Sequence, residues 1–401
     1  MSFRIISVSF RCLNFQLSIL NSRLMGKRAV IVYAKLLTVI ATVIVVMLTF
    51  YGLVGGNRSP IGHTFHACSV VLLPVFIVLD IVALFYWAVI RRRLWALLPL
   101  LPLPFCWNYI NTYFRFGSAD TSLHTNVLTV GTYNVRSFSS EASGFIAQDV
   151  MTTLNRENCD VVCLQEYRDD IPGDNSNVRA RVRNLYEYSV LGDGDMAIFS
   201  RYPIRDHREF KFEYSNNGWQ WADIEVSEKL TVRVFNVHME TTGINSALYQ
   251  LAKEDANIDI DDVPMDPDAV DTERHTLGSR VNNDRIYRML LGNYAFGLSV
   301  RSGQAISIAN EKQQSPHPMI LAGDFNDVPY SFTYKTLLGD LVDGFTTGGH
   351  GFGSTYRGVR GFFRIDYVFA AKQFPCFEYH TVNLTYSDHN PVVAKYDIAQ
   401  H

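Results

Sequence analysis

The sequence predicts a helical membrane region followed by one sizeable α/β domain of packed sheets, and three observations predict it. The 401 residues divide sharply in charge: residues 1–117 hold eleven Lys/Arg against one acid, Asp80, whereas residues 118–401 hold twenty-five against thirty-eight, or +10 against -13. The first part contains three long apolar stretches. After residue 126, short β-branched or apolar runs alternate with helical stretches, the pattern of sheets covered by helices. The expected organisation is therefore a membrane region over 1–117 and an α/β domain over 118–401.

Residues 36–54 are uncharged, 67–90 are interrupted only by Asp80, and 94–114 are again uncharged. An α-helix needs about 20 apolar residues to cross a bilayer, so three transmembrane helices are expected. Pro99, Pro102 and Pro104 break or kink the third, which reads either as a crossing or as a re-entrant segment. Lys27, Arg28 and Lys35 flank the first helix, and Arg91, Arg92 and Arg93 fill the link between the second and third. The positive-inside rule assigns both clusters to the cytoplasm. Three crossings then make a multi-pass protein whose acidic domain is extracytoplasmic. Asp80, costly inside a membrane, reads as a bundle-facing or protonated residue. Residues 1–24 precede Met25, an alternative start, and lack the short apolar core of a signal peptide, so the anchor is retained.

In the acidic part, strands are expected at 127–133, 161–164, 196–199, 231–237, 319–322, 365–369 and 392–396. Helices are expected at 144–158 and 284–314, with no internal repeat. Residues 254–273 hold nine acids with Pro264, Pro267 and Asn257, a composition that favours a solvated loop over a packed element. Only Cys159, Cys163 and Cys376 of the six cysteines lie in this part, without zinc spacing, and the first two read as core packing.

Polar phrases stand beside the apolar runs: GTYNVRS, CLQEY, FNVHME, LAGDFND, FRIDYVF and YSDHNPV. Phosphate-ester hydrolysis needs a cation to neutralise charge, an activated water and donors for the crowded oxyanion. Glu166 and Asp388 are hard oxygen donors suited to magnesium, which is held by few carboxylates. His389 needs a carboxylate to fix its tautomer and raise its basicity, and Asp366 is the candidate. Asp324 and Asn326 share a face if their segment is extended, pairing a carboxylate that orients water with an amide that binds a phosphoryl oxygen.

The ordered series over residues 126–398 resembles the endonuclease/exonuclease/phosphatase superfamily, in a membrane-anchored, bacterial-type form, with GDFN and SDHNPV as the strongest matches. That superfamily includes deoxyribonuclease-I-like nucleases, abasic-site endonucleases, neutral sphingomyelinases and inositol-polyphosphate 5-phosphatases. The resemblance implies a four-layered α/β sandwich, two mixed sheets packed face to face with helices outside. It implies a metal pocket of Asn134, Glu166 and Asp388, with Glu166 as the main Mg2+ ligand and Mn2+ as a substitute ion. It implies that Asp324 orients or deprotonates the attacking water, that Asn326 and His238 hold the phosphate, and that His389, oriented by Asp366, transfers protons or stabilises the transition state. The phrase GDMAIFSRYPI also matches, and reads as core strand and turn.

These readings define a membrane-anchored, metal-dependent phosphohydrolase acting on a phosphodiester or phosphomonoester, its partners a phosphorylated substrate and the lipid bilayer. A charge of -13 disfavours a nonspecific nuclease, because binding a nucleic-acid backbone needs cations. Arg179, Arg181 and Arg183 alternate and would line one face of an extended segment as a phosphate cradle, or else belong to a solvated face. Membrane attachment favours a lipid substrate. A surface nuclease acting on DNA or RNA and a non-catalytic receptor for a phosphorylated ligand are the alternatives.

Overall fold

The computed structural model describes residues 27–116, 124–138, 146–168, 177–192, 195–213, 215, 217–241, 283–358 and 361–399. The acidic segment 254–273 lies outside the described residues. The chain forms two compact units, one of Met1–Tyr51 with Leu73–Pro104 and the other of Gly52–Leu72 with Phe105–His401.

The first unit holds most of helix α1 (Lys27–Gly55), whose apolar stretch Val30–Gly55 has only 11% of its most apolar window buried. A helix that apolar and that uncovered is long enough to span a bilayer. Helices α2 (Thr64–Val71) and α3 (Leu73–Val89) qualify only if counted together as one broken span. The expected third crossing is not a single helix. Residues 93–111 divide into α4 (Arg93–Leu100), a 3-10 turn (Leu103–Cys106) and α5 (Trp107–Asn111), because Pro99 lies inside α4 and Pro102 and Pro104 follow it. Among the described residues, then, one helix is long and apolar enough to cross, or two with the broken pair, rather than three. Asp80 is fully buried and accepts a 2.5 Å hydrogen bond from Thr49 Oγ1, and Trp87 Nε1 donates to Thr42 Oγ1 at 3.0 Å. Asp80 therefore faces protein, as a costly polar group in apolar surroundings must.

The second unit, to which α2 and α5 belong, has a two-residue strand, β1 (Phe114–Arg115), and is built on two six-stranded sheets. After β2 (Val127–Asn134) and helix α6 (Ile146–Arg156) comes β3 (Val161–Gln165). The short helix α7 (Val178–Arg181) leads to β4 (Tyr188–Leu191) and β5 (Met196–Ser200). Next are β6 (Ile204–Lys211), β7 (Gly218–Ser227), β8 (Leu230–His238) and the long helix α8 (Asn283–Lys312). Strand β9 (Met319–Asp324), α9 (Phe332–Leu338), β10 (Val342–Asp343), α10 (Gly344–Gly348) and β11 (Gly351–Phe352) follow. The last strands are β12 (Asp366–Ala370), β13 (Cys376–Thr381) and β14 (Val392–Asp397). One sheet has the order β13-β14-β2-β3-β5-β4 and the other β10-β12-β9-β8-β7-β6. Each is mixed, with one parallel pair near its centre, β2 with β3 and β8 with β9.

Alternation along the strands assigns side chains to layers. Leu128, Val130, Val161, Cys163, Val392 and Ala394 of one sheet meet Val232, Val234, Ile320, Ala322, Val368 and Ala370 of the other in the central core. The opposite phase packs outward. Val162, Leu164 and Phe199 meet Ile146, Val150, Met151 and Leu154, the apolar stripe of α6, while Phe235, Leu321 and Phe369 meet Ala305 and Ile308 of α8 and Leu337 of α9. The result is the four-layered α/β sandwich. Fully burying each such aliphatic side chain stabilises by about 1.5–3 kcal/mol, so the phase of the strands that carry them is fixed.

That phase positions the polar residues. Asn134, Gln165, His238, Asp324 and Asp366 lie two or four residues from central-core side chains, hence on the inward face, at the strand ends where apolar filling stops. Cys159, Cys163 and Cys376 are free and buried, in keeping with packing. The arginines at 179–183 do not alternate along a strand, because Val178–Arg181 is a helical turn. Arg179 and Arg183, with Tyr186, line a separate cleft of about 380 Å³.

Candidate active site

The two parallel pairs end together. In register, Asn134 lies beside Gln165 at the ends of β2 and β3, and His238 beside Asp324 at the ends of β8 and β9. Ligand sites in α/β sheets form outside the carboxyl ends of such strands. Asp366 opens β12 opposite Asp324, and its position is fixed by Arg364, which is fully buried and makes a two-pronged ion pair with Asp343 at 2.5 and 2.8 Å. Thr355 Oγ1 accepts the backbone N–H groups of Ile365 and Asp366 at 3.0 and 3.1 Å.

The strands end abruptly. Glu166 and Asn326 have φ of 51°, and Arg136, Ser137 and Phe138 have φ of 44°, 50° and 55°. Left-handed backbone is costly for residues other than glycine and clusters at functional sites. Gly323 is required for a different reason: at φ +142°, an added Cβ would lie 2.0 Å from Val237 O across the parallel pair.

Asn134 is the hub. Its amide donates to Glu166 Oε1 at 2.9 Å and to Asp324 Oδ2 at 3.1 Å, while its Oδ1 accepts Arg136 N–H at 3.0 Å. Asn326 departs from the extended geometry expected of it. Its backbone N–H turns back to Asp324 Oδ1 at 2.8 Å, and its amide donates to Met239 O at 2.9 Å and Asp324 Oδ2 at 3.2 Å. It touches Asp324 because the chain turns, not because two strand residues share a face. Asp324 is thus held by two carboxamides.

His389 Nδ1 lies 2.9 Å from Asp366 Oδ2, and its Nε2 lies 3.7 Å from Asp324 Oδ2. Burial alone lowers the pKa of His389, but the carboxylates of Asp366 and Asp324 outweigh it and hold the ring well above an ordinary histidine. Burial raises Asp324, and the neighbouring histidines only partly offset this. The ring edge of Tyr356 meets His389 at 5.2 Å. Asp388 is half-buried and is tied in through its backbone, its carbonyl accepting Arg357 N–H at 2.7 Å.

A second histidine–carboxylate pair appears that the sequence reading did not include. His238 Nδ1 lies 3.2 Å from Asp195 Oδ1, and its buried Nε2 has no hydrogen-bond partner and points toward Glu166 Oε1, 3.9 Å away. Burial lowers this histidine, but the bond and charge of Asp195, followed by Asp324 and Glu166, raise it to about 9. Asp195 stands in the phrase GDMAIFS, read as strand and turn, so its signal was on the page without its partner. Thr355, Tyr356 and Gln165 were likewise not singled out. Gln165 Nε2 donates to Asn236 Oδ1 at 2.6 Å, joining the sheets beneath the cleft.

The structure therefore joins Asn134, Glu166, His238, Asp324, Asn326, Asp366 and His389 in one continuous set, with Asp388 at its edge. Ligand atoms of Asp324, Asp366 and His389 lie within 4.8 Å of one another. The donors are mainly hard oxygens, and Glu166, with its side chain about one-third exposed, offers a carboxylate to the cleft mouth. A hard divalent cation fits this chemistry.

A four-layered sandwich whose parallel strand ends present two histidine–carboxylate pairs around a buried aspartate defines a phosphoester-hydrolase scaffold. Residues 131–389 match the endonuclease/exonuclease/phosphatase family model, and the chain belongs to that family. Members of the family generally use divalent metal ions. Residues 34–113 match a domain family of unknown function. No curated protein matches the chain. Among solved structures, an endonuclease/exonuclease/phosphatase from Beutenbergia cavernae is 18% identical with a TM-score of 0.44, covering 68% of this chain and 72% of its own. A family protein from Bacteroides thetaiotaomicron is 15% identical with a TM-score of 0.45, covering 69% and 98%. Truncated TDP2 from Caenorhabditis elegans is 14% identical with a TM-score of 0.45, covering 69% and 100%.

Proposed function

We propose that the chain is a membrane-anchored, magnesium-dependent hydrolase of a phosphodiester or phosphomonoester, with manganese as a substitute ion. The observation that carries the reading is the pair of buried histidine–carboxylate couples, His389–Asp366 and His238–Asp195, on either side of Asp324. Glu166 and Asp388 would hold the cation, which when bound supplies positive charge to the phosphoryl oxygens. Asn134 orients the Glu166 carboxylate. Asn326, whose amide hydrogens are both engaged, acts as a positioning residue for Asp324.

Both histidines have raised pKa values, so both are protonated at neutral pH and serve as charged donors rather than bases. The base is then Asp324, raised by burial and held by two carboxamides. Water loses a proton to Asp324 as its oxygen bonds phosphorus. The bond from phosphorus to the leaving oxygen breaks, and His389 or His238 supplies the proton that the leaving oxygen takes up.

The catalytic unit is proposed to lie outside the cytoplasm. The basic stretches at 27–35 and 91–93 support this reading through the positive-inside rule. The acidic surface supports a small phosphorylated substrate over a nucleic acid. With magnesium and a soluble phosphodiester, Glu166→Ala and His389→Ala should each lower turnover by about 10²–10⁴-fold, the usual weight of a catalytic group, in protein that keeps its melting temperature. Turnover unchanged in both variants would refute the assignment.

A further inference from the structure

An uncovered ridge of aromatic rings borders the loop that carries Tyr356 to the site. Trp107 stacks on Phe116 at 6.2 Å, Phe116 meets Phe114 at 4.7 Å, Phe114 is the strand partner of Phe352, and Phe352 meets Phe362 at 6.3 Å. The five side chains are between 37% and 69% exposed. A contiguous exposed apolar patch of this kind marks an interaction surface.

The chain itself indicates what covers it. The ridge begins within the apolar stretch 94–114, which contains Trp107 and Phe114, and the same compact unit contains Gly52–Leu72, the continuation of α1. That continuation is seated on the catalytic unit: Asn57 Oδ1 accepts from Lys335 Nζ at 2.7 Å, and Gly56 lies so close to Tyr330 that an added Cβ would meet its carbonyl oxygen at 1.7 Å. Tyr330 lies four residues after Asn326. The unit holding the cleft is thereby joined to the end of a helix able to span a bilayer. Aromatic residues concentrate where such helices meet the headgroup layer.

The ridge also flanks the loop that reaches the site. Gly353 N–H donates to Tyr113 O at 2.8 Å, pinning the loop to the segment before β1. Between Phe352 and Phe362, Tyr356 pairs with His389 through backbone and ring, Arg357 N–H bonds Asp388 O at 2.7 Å, and Thr355 O accepts Asn390 N–H at 2.8 Å. The loop thus has rings at both ends, and Tyr356 at its middle touches His389.

We propose that this ridge rests in the lipid headgroup layer and holds the cleft against the bilayer, so that the substrate is a phosphoester carried by a membrane lipid. The substrate part rests on the hydrolase reading above; the contact itself does not. The full chain is reconstituted into vesicles of phosphatidylcholine brominated near the headgroup. Phe352→Trp and Phe362→Trp should each add fluorescence that the bromines quench. Added fluorescence that is not quenched overturns the membrane contact, and quenching only by a labelled second copy of the chain would make the ridge a self-association surface instead.

The double variant Phe352→Ser/Phe362→Ser should lose about tenfold or more of its turnover of a phospholipid in vesicles, because interfacial apolar area is removed. Its turnover of a soluble phosphodiester should be unchanged. Equal loss on both substrates would assign the rings a structural role and overturn the substrate proposal. If wild-type protein cleaves neither substrate while the quenching appears, the hydrolase reading fails and the membrane contact stands.

Discussion

His389 differs from an isolated histidine because two carboxylates face it, Asp366 at 2.9 Å on Nδ1 and Asp324 at 3.7 Å from Nε2. Burial works against its charge and the carboxylates overcome that effect. Its folded pKa is thus above the unfolded value, so the stability it contributes is fully present below that unfolded value and disappears as pH rises through the folded one. On the proposed mechanism the same charge serves catalysis. Asp366→Asn removes the larger of the two favourable contributions, so the pKa of His389 falls. The rate, kcat/KM, should decrease by about 10²–10⁴-fold, and its alkaline limb should move to lower pH. A pH–rate profile checks this, and a profile of unchanged shape would assign Asp366 to packing alone.

Elements carry these residues to one place, and how far the sequence discloses that differs among them. Strands β3, β8, β9 and β14 are legible because β-branched runs end at turn residues and their inward phase is apolar. Strand β6 is not, since Ile204-Arg205-Asp206-His207-Arg208-Glu209 is a charged, exposed edge. Strand β7 hides behind Gln220 and Asp223, polar residues that are buried, Asp223 against Arg233 of the neighbouring strand β8. Dependence on a distant partner concealed Asp195, whose significance lies in His238 forty-three residues away. The reading of Asn326 was misled where the turn that ends β9 outweighs strand alternation. Helix α8, expected at 284–314 and found at Asn283–Lys312, ends on a testable element. Lys312 is only 8% exposed, its Nζ donates to Leu337 O, and burial lowers its pKa to about 8 from 10.5. Between those values the unfolded chain binds more protons, so stability rises with pH across that window. Lys312→Met should therefore stabilise the protein at neutral pH by on the order of 1 kcal/mol, a gain that thermal melts should see vanish as pH approaches 10.5.

The charge division of the whole molecule, +10 against -13, has a consequence for orientation. A cytoplasmic leaflet is anionic and attracts juxtamembrane Lys and Arg, so residues 27–35 and 91–93 favour that face. The acidic unit is repelled by the same surface. The lipid contact proposed for this unit is made by exposed apolar rings rather than by cations. On the proposed orientation, Gly52–Leu72, which belongs to the same compact unit as the site, lies outside the cytoplasm. In a chain otherwise free of cysteine, exposed Lys372→Cys should react with a membrane-impermeant maleimide added to intact cells, whereas Arg92→Cys should react only after permeabilisation. The reverse pattern would place the site in the cytoplasm and overturn the proposed orientation.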